Sequence, residues 1–142
     1  MYIESVVEIS APPERVWDVL KEVERWPEWT QSISRIDLLD TDDLVVGARA
    51  RIKQPRLPAV IWKVTELTPG RSFAWVASGL GYETVATHAI EPSETGSKVT
   101  LTVKQTGLLS HLMPWVSAMS RRYVEMEARG LKQRIESRVR AA

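Results

Sequence analysis

Hydrophobic and polar positions alternate from the start of the chain. Ile3, Val7 and Ile9 are interleaved with Glu4 and Glu8, which predicts a strand over residues 2–10. The period then changes. After Ser10-Ala11-Pro12-Pro13-Glu14, the apolar residues Val16, Trp17, Val19, Leu20 and Val23 fall at helical spacing. A proline at the first helical position suits a helix start, because its missing N–H had no partner there. Trp26-Pro27-Glu28-Trp29 ends that helix and opens another short turn, since the residue before a proline is pushed out of the α region.

From Ile33 to Gly107 the pattern is that of strands. Six runs stand out: Ile33–Leu39, Val45–Gln54, Ala59–Leu67, Ser72–Ala77, Tyr82–Ile90 and Lys98–Thr106. The loops between them are short, so neighbours are expected to pair antiparallel. Thr68-Pro69-Gly70-Arg71 has proline and glycine where a type II turn needs them. Residues 108–140 predict one long helix whose regular part begins near Pro114. Leu112, Val116, Met119, Tyr123 and Met126 share one face; further on the face passes to Val124, Ala128, Leu131, Ile135 and Val139. Gly130 inside that helix costs ~1 kcal/mol against alanine, which points to a close backbone approach there.

The expected fold is α+β: a seven-stranded curved antiparallel sheet around a long C-terminal helix, with two short helices between the first two strands. The sheet can bury its apolar face only on that helix. A strongly curved sheet cannot meet one helix everywhere, so a cavity between them is expected.

Composition adds exclusions. The 142 residues fit one domain, taken here as 1–142. Nineteen basic and eighteen acidic residues give a net charge of +1, too little field to draw nucleic acid. No apolar run is long enough to span a bilayer. Met1-Tyr2-Ile3-Glu4 has no charged-then-apolar leader, and a cytoplasmic protein is expected. There is no cysteine, and the two histidines lie far apart; no metal and no cofactor are expected. The cations of the last helix, Arg121 to Arg140, are diluted by Glu125, Glu127 and Glu136 and are read as a solvated face. Monomer and homodimer are both open.

Strand alternation sorts the remaining residues. Ala48, Ala50, Ile52 and Gln54 share a face, as do Val60, Trp62 and Val64, and Phe73, Trp75 and Ala77. So do Tyr82, Thr84, Ala86, His88 and Ile90, and Val99, Leu101, Val103 and Gln105. These faces are the more apolar and are assigned inward. Among them stand polar tips on Trp62, Trp75, Tyr82, His88 and Gln105, joined by Tyr123 from the helix, as in small-molecule sites. The alanines leave room. In a meander, alternate loops share an end, so Pro55–Pro58, Ser78–Gly81 and the 107–114 lead-in should form the mouth. Leu57 and Leu80 would be flaps, with Trp115 or Met113 nearby, and His111 exposed.

Alternatives stay open at each position. His88 is an acid/base or ligand donor, or a histidine satisfied in the core. Met119, Tyr123 and Met126 line a pocket or form ordinary helix core. Trp62 and Trp75 are ligand walls, or they fill the core. Trp17 and Trp29 are read as packing the short helices onto the sheet.

The order of elements resembles a known family, the START-like superfamily (SRPBCC) and its polyketide cyclase/dehydrase-type branch. The matching pieces are Ala11–Leu20, Trp26-Pro27-Glu28-Trp29, Gly47, Trp62–Gly70, His88, Glu91-Pro92, Gly96 and Gly107-Leu108-Leu109. The resemblance implies a helix-grip fold with a deep hydrophobic pocket. It implies binding of a hydrophobic small molecule such as a lipid, isoprenoid or polyketide. As the alternative it implies a polyketide cyclase, aromatase or dehydratase with His88 or Tyr123 as proton donor.

Overall fold

Strand β1 (Tyr2–Ile9) buries Ile3 and Ile9 and turns its glutamates to solvent, as the alternation predicts. The computed structural model describes residues 1–108 and 114–141, with side chains to residue 138. Helix α1 (Pro13–Leu20) begins with Pro12 as its extended cap and Pro13 in the first turn. It is shorter than predicted. Val23 belongs instead to a 3₁₀-helix, Val23–Glu28, that runs through Trp26 and Pro27. Trp26 is 1% exposed, and its Nε1–H donates to the Leu20 carbonyl at 2.9 Å, so the indole pins the end of α1.

Six further strands follow: β2 (Arg35–Leu38), β3 (Arg49–Lys53), β4 (Val60–Thr68), β5 (Ser72–Gly79), β6 (Tyr82–Ser93) and β7 (Gly96–Thr106). All pair antiparallel in one seven-stranded sheet of order β1-β7-β6-β5-β4-β3-β2. The last strand closes on the first, with Ile3 opposite Val103. Two boundaries shift furthest from expectation, by three residues or more. Val45–Gly47 is a turn rather than strand, because Gly47 takes φ +92° and Ala48 N–H donates back to the Val45 carbonyl. β6 extends past Ile90 to Ser93 because Pro92 sits opposite Ser97 without breaking the hairpin. The Thr68–Arg71 turn is type II as read: Gly70 has φ +78°, and Arg71 N–H donates to the Thr68 carbonyl at 3.0 Å.

Helix α2 (Pro114–Ala141) lies across the concave face. Its C-terminal half is docked: Val124, Ala128, Leu131 and Ile135 are buried, and the helix packs on β1, β7 and α1. Gly130 carries the close approach expected of it. A Cβ there would stand 2.0 Å from the Trp29 carbonyl oxygen. The N-terminal half stands off the sheet, with Val116 and Ser120 only half-buried. His111, Leu112 and Met113, and the side chain of Val139, lie outside the described residues.

Candidate functional site

The gap between the concave face and the first half of α2 is a cavity of about 350 Å³. The core is therefore not filled by its tryptophans. Register explains part of the space, because two tryptophans of the sheet lie beside alanines. Trp62 is opposite Ala50, and Trp75 is opposite Ala86. Trp62 and Trp75 line the cavity with ring centroids 6.2 Å apart. Trp26 is part of the same wall, 5.5 Å from Trp75. The sequence offered Trp26 only as part of a helix break; the 3₁₀-helix turns it inward instead.

The loops grouped by the meander argument lie near one another at one end of the cavity. Leu57 and Pro58 line it from the β3–β4 loop, Tyr82 from β6 and Trp115 from α2. A Cβ on Gly107 would meet the Gly81 carbonyl at 2.3 Å, so the β5–β6 turn and the end of β7 share this end. Tyr123 lines the cavity and its hydroxyl donates to the Pro55 carbonyl at 2.5 Å, tying the β3–β4 loop to α2. Lys53 Nζ donates to the carbonyls of Gln54 and Leu57 in the same loop. Leu80 is no flap. It is 93% exposed in the turn between β5 and β6 and is not part of the cavity wall.

Met119 also lies outside the cavity wall. Beyond Trp115 in the first turn, the residues of α2 that line the cavity are Val116, Ser120, Tyr123, Val124 and Glu127. At 3.6 residues per turn, Met119 is rotated about 60° and Met126 about 80° from Val116, to the side away from Ser120. Met126 instead borders an outer groove with Trp29. Hydrophobicity favoured the methionines, but the docking of Leu131 and Ile135 sets the rotation of the helix.

Two polar pairs are built into the wall. Gln105 Nε2 donates to Thr84 Oγ1 at 3.1 Å across paired positions of β6 and β7. Deeper in, His88 is 4% exposed and stacks on Phe73 at 4.2 Å and 9°. Its Nδ1 lies 3.4 Å from the Phe73 carbonyl, and its Nε2 lies 3.4 Å from Glu127 Oε1. A carbonyl only accepts, so the first contact places a hydrogen on Nδ1 and directs Nε2 toward Glu127. Glu127 thus belongs to the cavity and not to the solvated face the charge pattern implied. One signal in the sequence marks it: it follows Tyr123 by four residues, one turn along the same face.

Among the described residues no group of three His, Cys, Asp or Glu is placed to hold a metal. Among them, too, no helix is long and apolar enough to cross a membrane.

The profile of a family described as polyketide cyclase/dehydrase and lipid transport matches residues 2–136. The chain belongs to that family. No curated protein matches it in sequence. Its helix-grip fold is shared with solved structures. A Thermus thermophilus protein is 19% identical with a TM-score of 0.78, covering 96% of this chain and 98% of its own. The Zhui aromatase/cyclase from a Streptomyces species is 16% identical with a TM-score of 0.79, covering 99% and 96%. A START superfamily protein from Mycobacterium smegmatis is 17% identical with a TM-score of 0.76, covering 96% and 97%. At these identities the likeness concerns the fold.

Proposed function

We propose that residues 1–142 act as one START-like domain that binds a hydrophobic small molecule, of lipid, isoprenoid or polyketide type, between the sheet and α2. The observation that carries this reading is the cavity itself, about 350 Å³ and walled by Trp26, Trp62, Trp75, Leu101 and Val103. That size lies at the lower end of small-molecule sites, roughly 300–1,000 Å³. The family's description, which names lipid transport, agrees with it.

Four tryptophans line the cavity, so their fluorescence reports occupancy. Titration with an apolar probe such as a naphthalene derivative should change the emission saturably at one site per chain. Native mass spectrometry of the freshly purified protein should show any resident ligand as mass lost on denaturation. A linear, unsaturable response together with a clean apo mass removes the reading.

A second reading is cyclisation, aromatisation or dehydration of a polyketide, in line with the family's description and with a fold neighbour named as an aromatase/cyclase. The observation favouring it is the His88–Glu127 pair on the cavity wall. The pair can carry one exchangeable proton on Nε2 or on the carboxyl, and positioning plus one proton relay is enough for such steps. Tyr123 is less suited as a donor, because its hydroxyl hydrogen is directed to Pro55. With a polyketide substrate, His88→Ala should lower turnover by about 10²–10⁴-fold. Unchanged turnover removes this reading and leaves binding intact.

A further inference from the structure

The cavity wall is unbalanced in charge. Among the described residues it contains one acid, Glu127, one histidine, His88, and no lysine or arginine. Lys53, beside Gln54 of the wall, has its ammonium held by two loop carbonyls. The hydrogen-bonding groups are unbalanced too. Trp26 Nε1–H is given to Leu20, the Tyr123 hydroxyl to Pro55, and a Gln105 amide hydrogen to Thr84. His88 directs its two nitrogens at a carbonyl and at Glu127. The donors left to a ligand are neutral: indole N–H groups, hydroxyls, and amide N–H groups of Gln54 and Gln105. On the acceptor side, Glu127 Oε1 is buried with no hydrogen bond formed, and its nearest partner is His88 Nε2 at 3.4 Å. The Glu127 side chain keeps 14% exposure on the cavity wall. A buried acceptor left without a donor is costly, and a buried anion without a cation more so.

Resting on the binding reading above, we propose that the cavity selects lipophiles whose polar end donates a hydrogen bond, a hydroxyl or a protonated amine, and discriminates against carboxylates and phosphates. The donor end meets Glu127 beneath the tryptophans. Trp26 and Trp75 lie close to His88, with ring centroids 5.3 and 5.6 Å from it, so the wall beside that position is aromatic. An anionic head would meet the Glu127 carboxyl, and the nearest cation-capable group, His88, is already directed at that carboxyl.

The test is calorimetric titration at neutral pH of three ligands with one ring system: naphthylmethanol, naphthylmethylamine and naphthoic acid. The alcohol and the amine should bind, and the acid more weakly by at least about tenfold. An amine tighter than the alcohol assigns the site to cations; equal affinities assign it to neutral donors. Glu127→Gln keeps the shape and should narrow the gap between amine and acid. The comparison in the unaltered protein stands whether or not that variant folds. Acid binding as tightly as the alcohol overturns the proposed selectivity and leaves the binding reading standing. If none of the three binds, the binding reading falls and the selectivity falls with it.

Discussion

The α-carbon of Gly130 faces the Trp29 carbonyl so closely that a Cβ would stand 2.0 Å from its oxygen. The neighbour is backbone and cannot rotate away. Elsewhere in a helix, alanine is better than glycine by ~1 kcal/mol. At this position the sign reverses. Gly130→Ala should destabilise the protein by roughly 1–3 kcal/mol, the usual cost of overpacking, read as a lower urea midpoint at unchanged slope. A midpoint equal to or above that of the parent contradicts the contact.

Ala86 lines the cavity opposite Trp75. Ala86→Leu grows into empty space, so it should leave the urea midpoint almost unchanged. Affinity for an apolar probe should fall by about tenfold or more as cavity volume is lost. Full affinity would place the probe elsewhere on the protein.

Tyr123→Phe removes the hydroxyl that ties Pro55 to α2. The expected loss is about 0.5–1.5 kcal/mol of stability. The β3–β4 loop should also exchange its amide hydrogens faster, while probe affinity changes modestly. Loop exchange identical to the parent protein would show that the tie does not hold the mouth.

Leu131 is fully buried where α2 docks. Leu131→Ala should cost about 2–5 kcal/mol, far more than a change at half-buried Met119 on the flank of the same helix. Thermal melts of the two variants check the order. An equal loss at both sites would contradict the assigned helix rotation.

Glu28 joins the 3₁₀-helix to α2. Its carboxyl lies below its ordinary value of 4.5, chiefly because Arg25 donates to it and also because Arg134 does, at 2.6 Å. A depressed carboxyl contributes stability that is present above the unfolded value and lost as pH falls through the folded one. The stability advantage of the parent over Glu28→Gln should therefore shrink as pH drops below about 4.5. An advantage that persists at low pH argues against the ion pairs.

The strands, the long helix, the type II turn and the inward faces were legible in the sequence because each follows from local rules. Period-two alternation places Trp75, Ala86 and His88 on one face whatever lies opposite them. Gly130 was legible for a related reason, since glycine inside a helix implies a neighbour at its α-carbon. Chain pattern could not supply the rotation and stand-off of α2. Those come from Leu131 and Ile135 docking against β1, β7 and α1, which are distant in sequence. That rotation brings Glu127 to His88, moves Met119 aside and leaves the first half of the helix away from the sheet. The sequence by itself determined which side chains face inward. The tertiary structure decided which of them meet and that space remains between them, because packing across elements sets helix rotation and no local period contains it.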